Sequence, residues 1–224
     1  MRVVKRDGTI APVSFDEITK RLEAVADGLG QANYHLVAQK VIQSMSDHMP
    51  TEKLDDMAID VCASLVAEHP DYDRLAVRLA MSQSYKRIAR ELHVSPECAP
   101  RAFVSAMTYA QEYTQFFTDA FMSFVHTHRV RIEQALIPTN DCLFDIFGLK
   151  TLEKGYLFRA NGTTIETPQF MWMRVACALN LDNIDRAVET YYALSHLRYT
   201  HASPTLFNAG TRNGQLSSCF FRNG

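Results

Sequence analysis

Apolar residues recur at helical spacing through most of the chain, and a few short stretches break that rhythm. Residues 2–13 are the first break: Val3 and Val4 lead into Asp7-Gly8, and Ile10 to Val13 follow. Two short β-prone runs around Asp-Gly predict a β-hairpin. In SFDEITKRLEAVADGLG, Phe15, Ile18, Leu22 and Val25 form a stripe, Ser14 and Glu17 read as a capping box, and Gly28 and Gly30 supply the stop. A second helix is predicted over roughly 34–48 (Leu36, Val37, Val41, Ile42, Met45). A third opens at Thr51, read as its N-cap, with Leu54, Met57, Val61 and Leu65 along one face; His69-Pro70 ends it. A fourth runs from about Asp71 to Leu92. A small β element followed by four amphipathic helices predicts a self-contained unit over 1–92.

Residues 99–137 are aromatic-rich and helical in period. Tyr109, Tyr113, Phe116, Phe117, Phe121 and Phe124 are read as a core-facing stripe rather than a stacking platform for bases. Phe144 to Leu152 reads as helix, and Tyr156 to Ile165 as a hairpin around Asn161-Gly162. Helices follow at Pro168–Leu179 and Ile184–Leu197. The stretch THASPTLFNAGTRNGQLSSCFF has no helical period, is dense in Ser, Thr, Asn and Gly, and ends in a predicted strand over Gln215–Phe221. The fold class expected is α+β, mainly helical.

Composition narrows the functions. Of 224 residues, 47% are hydrophobic and 21% charged, which are ordinary globular values. Lys and Arg total 23 against 25 Asp and Glu, a formal net charge of -2, so a broad basic surface for nucleic acid is not expected. No apolar run reaches the ~18 residues of a membrane span, and the N-terminus lacks a signal peptide's apolar core. The five cysteines, Cys62, Cys98, Cys142, Cys177 and Cys219, form no CxxC pair. That pattern is neither a disulfide framework nor a zinc site and predicts reduced thiols in the cytoplasm, with no metal bound by this chain. His126 and His128 fall on different helix faces and are poor ligands for a shared metal.

Two places could carry chemistry. Lys5 and Arg6 flank the first turn, Ser14 to Asp16 sits at a helix N-terminus that favours an anion, Thr51 opens another helix, and Lys86 lies late in a fourth. Together these could form a phosphate pocket; surface cations and ordinary caps are the plain alternative. At the other end, Ser217 and Ser218 precede Cys219 after a loop of small residues, where backbone N–H groups can approach an anion and a thiol could reach it. A buried strand cysteine is the plain alternative there.

These residues match something specific. MRVVKRDGTIAPVSFDEITKRL and HPDYDRLAVRLAMSQSYK resemble the beginning and the last helix of an ATP-cone, the nucleotide-sensing domain at the N-terminus of many ribonucleotide reductases. FGLKTLEKGYLFRANGTTIETPQFMWMRVA and THASPTLFNAGT…QLSSCFF are similar to the N-terminal part of class I reductase large subunits, most like the eukaryotic and viral ones. The resemblance is weakest over 93–138.

It implies an allosteric ATP-cone over 1–92 (small β element plus four-helix bundle), a helical connection over 93–140, a helical domain over 141–212, and the start of a ten-stranded α/β barrel over 213–224. It implies ATP or dATP as allosteric effector, held by Lys5, Arg6, the segment Ala11, Pro12, Val13, Ser14, Phe15, Asp16 and Glu17, then Thr51, Asp55 and Lys86. Family members often carry Glu at the position of Ala11 and Lys at that of Glu17. Losing a cation beside phosphates predicts weaker binding or an altered response to ATP against dATP.

In the catalytic part, the resemblance makes Ser203 and Ser218 contacts to a nucleoside diphosphate substrate and Cys219 one of two thiols that supply reducing equivalents. The radical cysteine, the partner of Cys219 and the C-terminal cysteines are not in the sequence. The chain is therefore expected to be the N-terminal portion of a ribonucleoside-diphosphate reductase large subunit, inactive alone. It is expected to work with the remaining C-terminal portion, a separate small subunit carrying the radical metal centre, and a second copy of itself. The competing readings are a nucleotide-sensing regulatory module without catalysis and a cobalamin-dependent reductase.

Overall fold

The computed structural model describes residues 1–219. The fold is α+β and mainly helical, and it divides into two compact units, residues 1–84 with 144–149, and residues 85–143 with the remainder from Lys150 onward.

In the first unit, β1 (Arg2–Val4) pairs antiparallel with β2 (Ile10–Pro12) in the register Arg2↔Pro12 and Val4↔Ile10. Gly8, at φ 84°, turns the chain between them. A third strand, β3 (Met49–Pro50), adds parallel to β1 through Val3↔Met49, giving the order β2-β1-β3. Nothing in the local sequence announces this two-residue strand.

Helix α1 (Phe15–Val25) begins at Ser14, whose Oγ accepts the Glu17 N–H at 3.2 Å. Helix α2 (Tyr34–Gln43) is capped by Asn33 and stops five residues before the predicted end, where the chain turns toward β3 with His48 at φ 58°. Helix α3 (Thr51–Ser64) is capped by Pro50 rather than Thr51, which occupies the first helical position. Proline at 50 has extended backbone and no N–H to give, so it takes the flanking position and moves Thr51 inward. Helix α4 (Asp71–Leu92) matches the predicted span, and the units divide within it, after Ser84. Leu22, Val37, Val41, Ile59, Cys62, Leu75 and Leu79 are buried in this unit's core.

In the second unit, the aromatic stretch is three helices rather than one run: α5 (Phe103–Thr114), α6 (Asp119–Thr127) and α7 (Arg129–Ala135). Gln115, in the left-handed region at φ 50°, ends α5. Phe117, Phe121 and Phe124 are core residues as expected, whereas Tyr113, in the last turn of α5, and Phe116, just past the break at Gln115, are exposed.

Helix α8 (Ile146–Gly155) precedes the hairpin β4 (Arg159–Ala160) and β5 (Thr163–Thr164), whose turn residues Asn161 and Gly162 both have positive φ. Helix α9 (Pro168–Leu179) is buried from Pro168 through Cys177 and packs along α10 (Ile184–Ser195).

Two expectations for the last stretch are corrected. Ser203–Asn208 is helix α11, opened by a proline in its first turn. Residues 215–219 form no strand; Phe220 and Phe221 lie outside the described residues. The backbone carbonyls of Gln215 and Leu216 are instead taken by side chains of α11.

Candidate functional site

The first unit contains a cavity of about 430 Å³ bounded by the sheet, the start of α1, and α3. Its apolar lining includes Val3, Leu22, Val41, Leu54, Ala58 and Leu79, and its polar lining is Lys5, Ser14, Glu17, Arg21, Thr51 and Asp55. The size and the mixture of an apolar floor with a few convergent polar groups are those of a small-molecule site.

Electrostatics organise one wall. Asp55 is buried and lies between two guanidinium groups, with Arg6 Nη2 2.5 Å from Oδ2 and Arg21 Nη1 2.7 Å from Oδ1. Arg6 also reaches Glu52, at 3.4 Å. Successive residues leaving a strand point to opposite sides. Lys5 accordingly lines the cavity, while Arg6 is engaged with Asp55 and does not line it.

Arg21 is the residue that sequence reasoning missed. Its Nη1 pairs with Asp55, while Nε and Nη2 are buried with no hydrogen-bond partner. Buried N–H donors without an acceptor are costly, so they mark where an anionic ligand would be stabilised. A polar i+3/i+4 neighbour of Glu17 and Ile18 on α1 was the available signal.

Of the predicted effector residues, Lys5, Ala11, Pro12, Val13, Ser14, Glu17, Thr51 and Asp55 line the cavity. Phe15 and Asp16 are exposed outside its lining, because the first turn of α1 faces them outward. Lys86 is half-buried, belongs to the second unit, and is not among the lining residues. The donor set suits an anion carried on an apolar body: the Lys5 ammonium, the Thr51 hydroxyl and first-turn N–H groups of α1 stand beside apolar walls. Glu17, exposed on the rim, opposes that anion.

In the second unit, Ser203 is the first residue of α11, and its Oγ lies 3.0 Å from the Tyr156 hydroxyl. The Phe207 ring stacks on Tyr156 at 4.8 Å. Thr205 Oγ1 donates to Leu216 O at 2.8 Å and Asn208 Nδ2 donates to Gln215 O at 2.6 Å, so α11 anchors the residues that precede Ser217. Ser218 and Cys219 are exposed. None of the five cysteines is in a disulfide. Burial pushes the Cys62 thiol up to about 12 and the Cys177 thiol higher still, so both are inert packing groups.

Two family descriptions account for these units. Residues 1–87 match the ATP cone domain, and residues 142–214 match the ribonucleotide reductase all-alpha domain. The ribonucleoside-diphosphate reductase large subunit of Arabidopsis thaliana is 39% identical over 222 residues, covering 98% of this chain and 27% of that protein. The chain joins an ATP cone domain to a ribonucleotide reductase all-alpha domain and is similar along its length to ribonucleoside-diphosphate reductase large subunits.

Other reductase relatives agree. The large subunit of Vaccinia virus is 37% identical over 225 residues, all of this chain and 29% of the relative. The large chain of Schizosaccharomyces pombe is 38% identical over 232 residues, 98% and 27% respectively. The chain thus spans 27–29% of the length of these reductases. Among the described residues, no helix is long and apolar enough to cross a membrane, and no group of three or more His, Cys, Asp or Glu is placed to hold a metal ion.

Proposed function

We propose that the cavity between the sheet, α1 and α3 binds ATP or dATP as an effector, and that the chain serves in the reduction of ribonucleoside diphosphates. The observation that carries the first part is the juxtaposition of Lys5, Thr51 and the start of α1 with an apolar cavity and the unpartnered donors of Arg21, inside a matched ATP cone. Lys5 and Thr51 hold the phosphates, the apolar walls hold the base, and Asp55 pairs with Arg6 and Arg21 in the wall beside them.

For substrate, Ser203 and Ser218 contact the diphosphate, and Cys219 supplies one of two thiols. Closing that pair to a disulfide releases two electrons and two protons. These replace the ribose 2′-hydroxyl by hydrogen and release it as water. The second thiol, the radical cysteine and the radical metal centre come from outside the described residues, the last from a separate small subunit. The proposed domain limits are 1–92 for the cone, 93–140 for a connection, 141–212 for the all-alpha domain and 213–224 for the beginning of the barrel. The site of action is the cytoplasm, where free thiols persist.

The test is calorimetric titration of ATP and dATP into the full chain. Saturable binding is expected, and Lys5→Ala weakens it by about 1.5–3 kcal/mol, roughly tenfold to a hundredfold, by removing a charge-assisted contact. Glu17→Lys tightens it. Absence of heat at millimolar dATP refutes the effector reading.

A further inference from the structure

Helix α9 is buried along most of its length and carries one charged side chain. Arg174 is fully buried in it, and so is the carboxylate of Glu166 that it meets. Arg174 Nε donates to Glu166 Oε1 at 2.6 Å and Nη2 to Oε2 at 3.2 Å, a two-point fork. The guanidinium lies 4.7 Å over the Phe158 ring, and Glu166 Oε2 also accepts the Phe158 N–H at 2.9 Å. Two further donors leave this pair. Nη2 donates to Leu206 O and Nη1 to Ala209 O, each at 3.0 Å.

Those two carbonyls belong to the end of α11, where helix carbonyls have no partner within the helix and a cation is favoured. A six-residue helix does not hold itself in water. Burying both charges is costly, and a pair of this kind is weak evidence of stabilisation; its best-supported use is to impose one geometry. Here the geometry imposed is that of α11, which carries Ser203 at one end and fastens Gln215 and Leu216 through Asn208 and Thr205.

We infer that Arg174, oriented by Glu166, is a positioning residue that clamps the C-terminal end of α11 and thereby sets how Ser203, Ser218 and Cys219 are presented to a nucleoside diphosphate. The clamp rests on the contacts above, and its consequence for substrate rests on the functional reading just given. Lysine cannot replace the residue, because a single ammonium does not reproduce a planar fork directed at a carboxylate and two separate carbonyls.

The test uses the full chain and two variants, Arg174→Lys and the uncharged pair Arg174→Met with Glu166→Gln. Amide hydrogen exchange is read at Thr205, Leu206 and Ala209 and, for reference, at Ala187 and Tyr191 in α10. CDP binding and the alkylation rate of Cys219 are measured on the same samples.

In the parent, the α11 amides are expected to be protected like those of α10. In the uncharged pair they exchange at least tenfold faster with α10 unchanged, the Cys219 rate shifts, and Arg174→Lys behaves like the pair rather than like the parent. Fast α11 exchange in the parent itself, which needs no variant to fold, overturns the clamp. So does unchanged α11 exchange in either folded variant. A parent that ignores CDP while α11 still loosens in the variants supports the clamp and refutes the substrate assignment alone.

Discussion

Asp141 is completely buried in the second unit, and replacing it with asparagine should remove a pH dependence of stability. Its carboxyl accepts the Gln169 N–H at 2.8 Å and the Tyr85 hydroxyl at 2.7 Å. Burial nevertheless outweighs these hydrogen bonds and one from Thr167, and pushes the group up to about 7. In the unfolded chain the value is near 3.9.

Between those two values the native state holds a proton that the unfolded chain has released, so stability falls as pH rises through that window. Its contribution is fully present below about pH 4 and lost by about pH 7. At 1.36 kcal/mol per unit, a gap of about three units corresponds to about 4 kcal/mol.

Asparagine fits the same site. Its Oδ1 keeps the Gln169 N–H, its Nδ2 donates to the Tyr85 oxygen, and the Tyr85 proton turns to Pro138 O, 3.3 Å away. Asp141→Asn should therefore melt close to the parent at pH 4 and well above it at pH 8. The difference between the two should change by roughly 8–16 °C across the window, at 2–4 °C per kcal/mol for a chain of this size. Thermal unfolding of both proteins by circular dichroism from pH 4 to 8 measures it. A difference in melting temperature that stays constant over that range refutes the reasoning.

Two glycines with positive φ separate backbone strain from crowding. Gly162→Ala meets open space and should cost about 1–2 kcal/mol from the left-handed backbone alone. Gly210→Ala adds a methyl 3.1 Å from the Phe121 ring and should cost about 2–4 kcal/mol, so the ordering of the two in chemical denaturation is the check. A thiol reagent at neutral pH should label exposed Cys98 and Cys219 first and leave Cys62 and Cys177 unlabelled until the chain unfolds, read by mass spectrometry.

What could be read from the sequence was whatever is encoded by near neighbours. The α9 span Pro168–Leu179 and the α4 span Asp71–Leu92 agree with their apolar periods, and both hairpins sit on their Asp-Gly and Asn-Gly turns. The strand β3 was invisible because it consists of two residues whose partners lie 46 positions away. Helix α11 was hidden because its six residues are too few to show a helical period and hold helical form through Arg174, a contact made from another helix. The residue itself gave a signal that went unread: a single arginine in MWMRVACAL, where every other position is apolar, needs a buried counter-charge. At the cavity, residue types identified the Lys5, Ser14 and Thr51 cluster. They could not tell that Arg6 faces Asp55 or that Arg21 carries unpartnered donors, since both depend on where α3 docks.

The pairing of β1 with β3 has a kinetic consequence. Val3 cannot meet Met49 until the chain between them has formed and packed α1 and α2, because closing that long loop is rewarded only once its helices are in place. Lys5 and Thr51, on opposite sides of that closure, come together in the same event. The cavity lined by Lys5 and Thr51 therefore closes only with this long-range pairing. A ligand lodged in it would tie β1 to α3 and so act as a latch on unfolding.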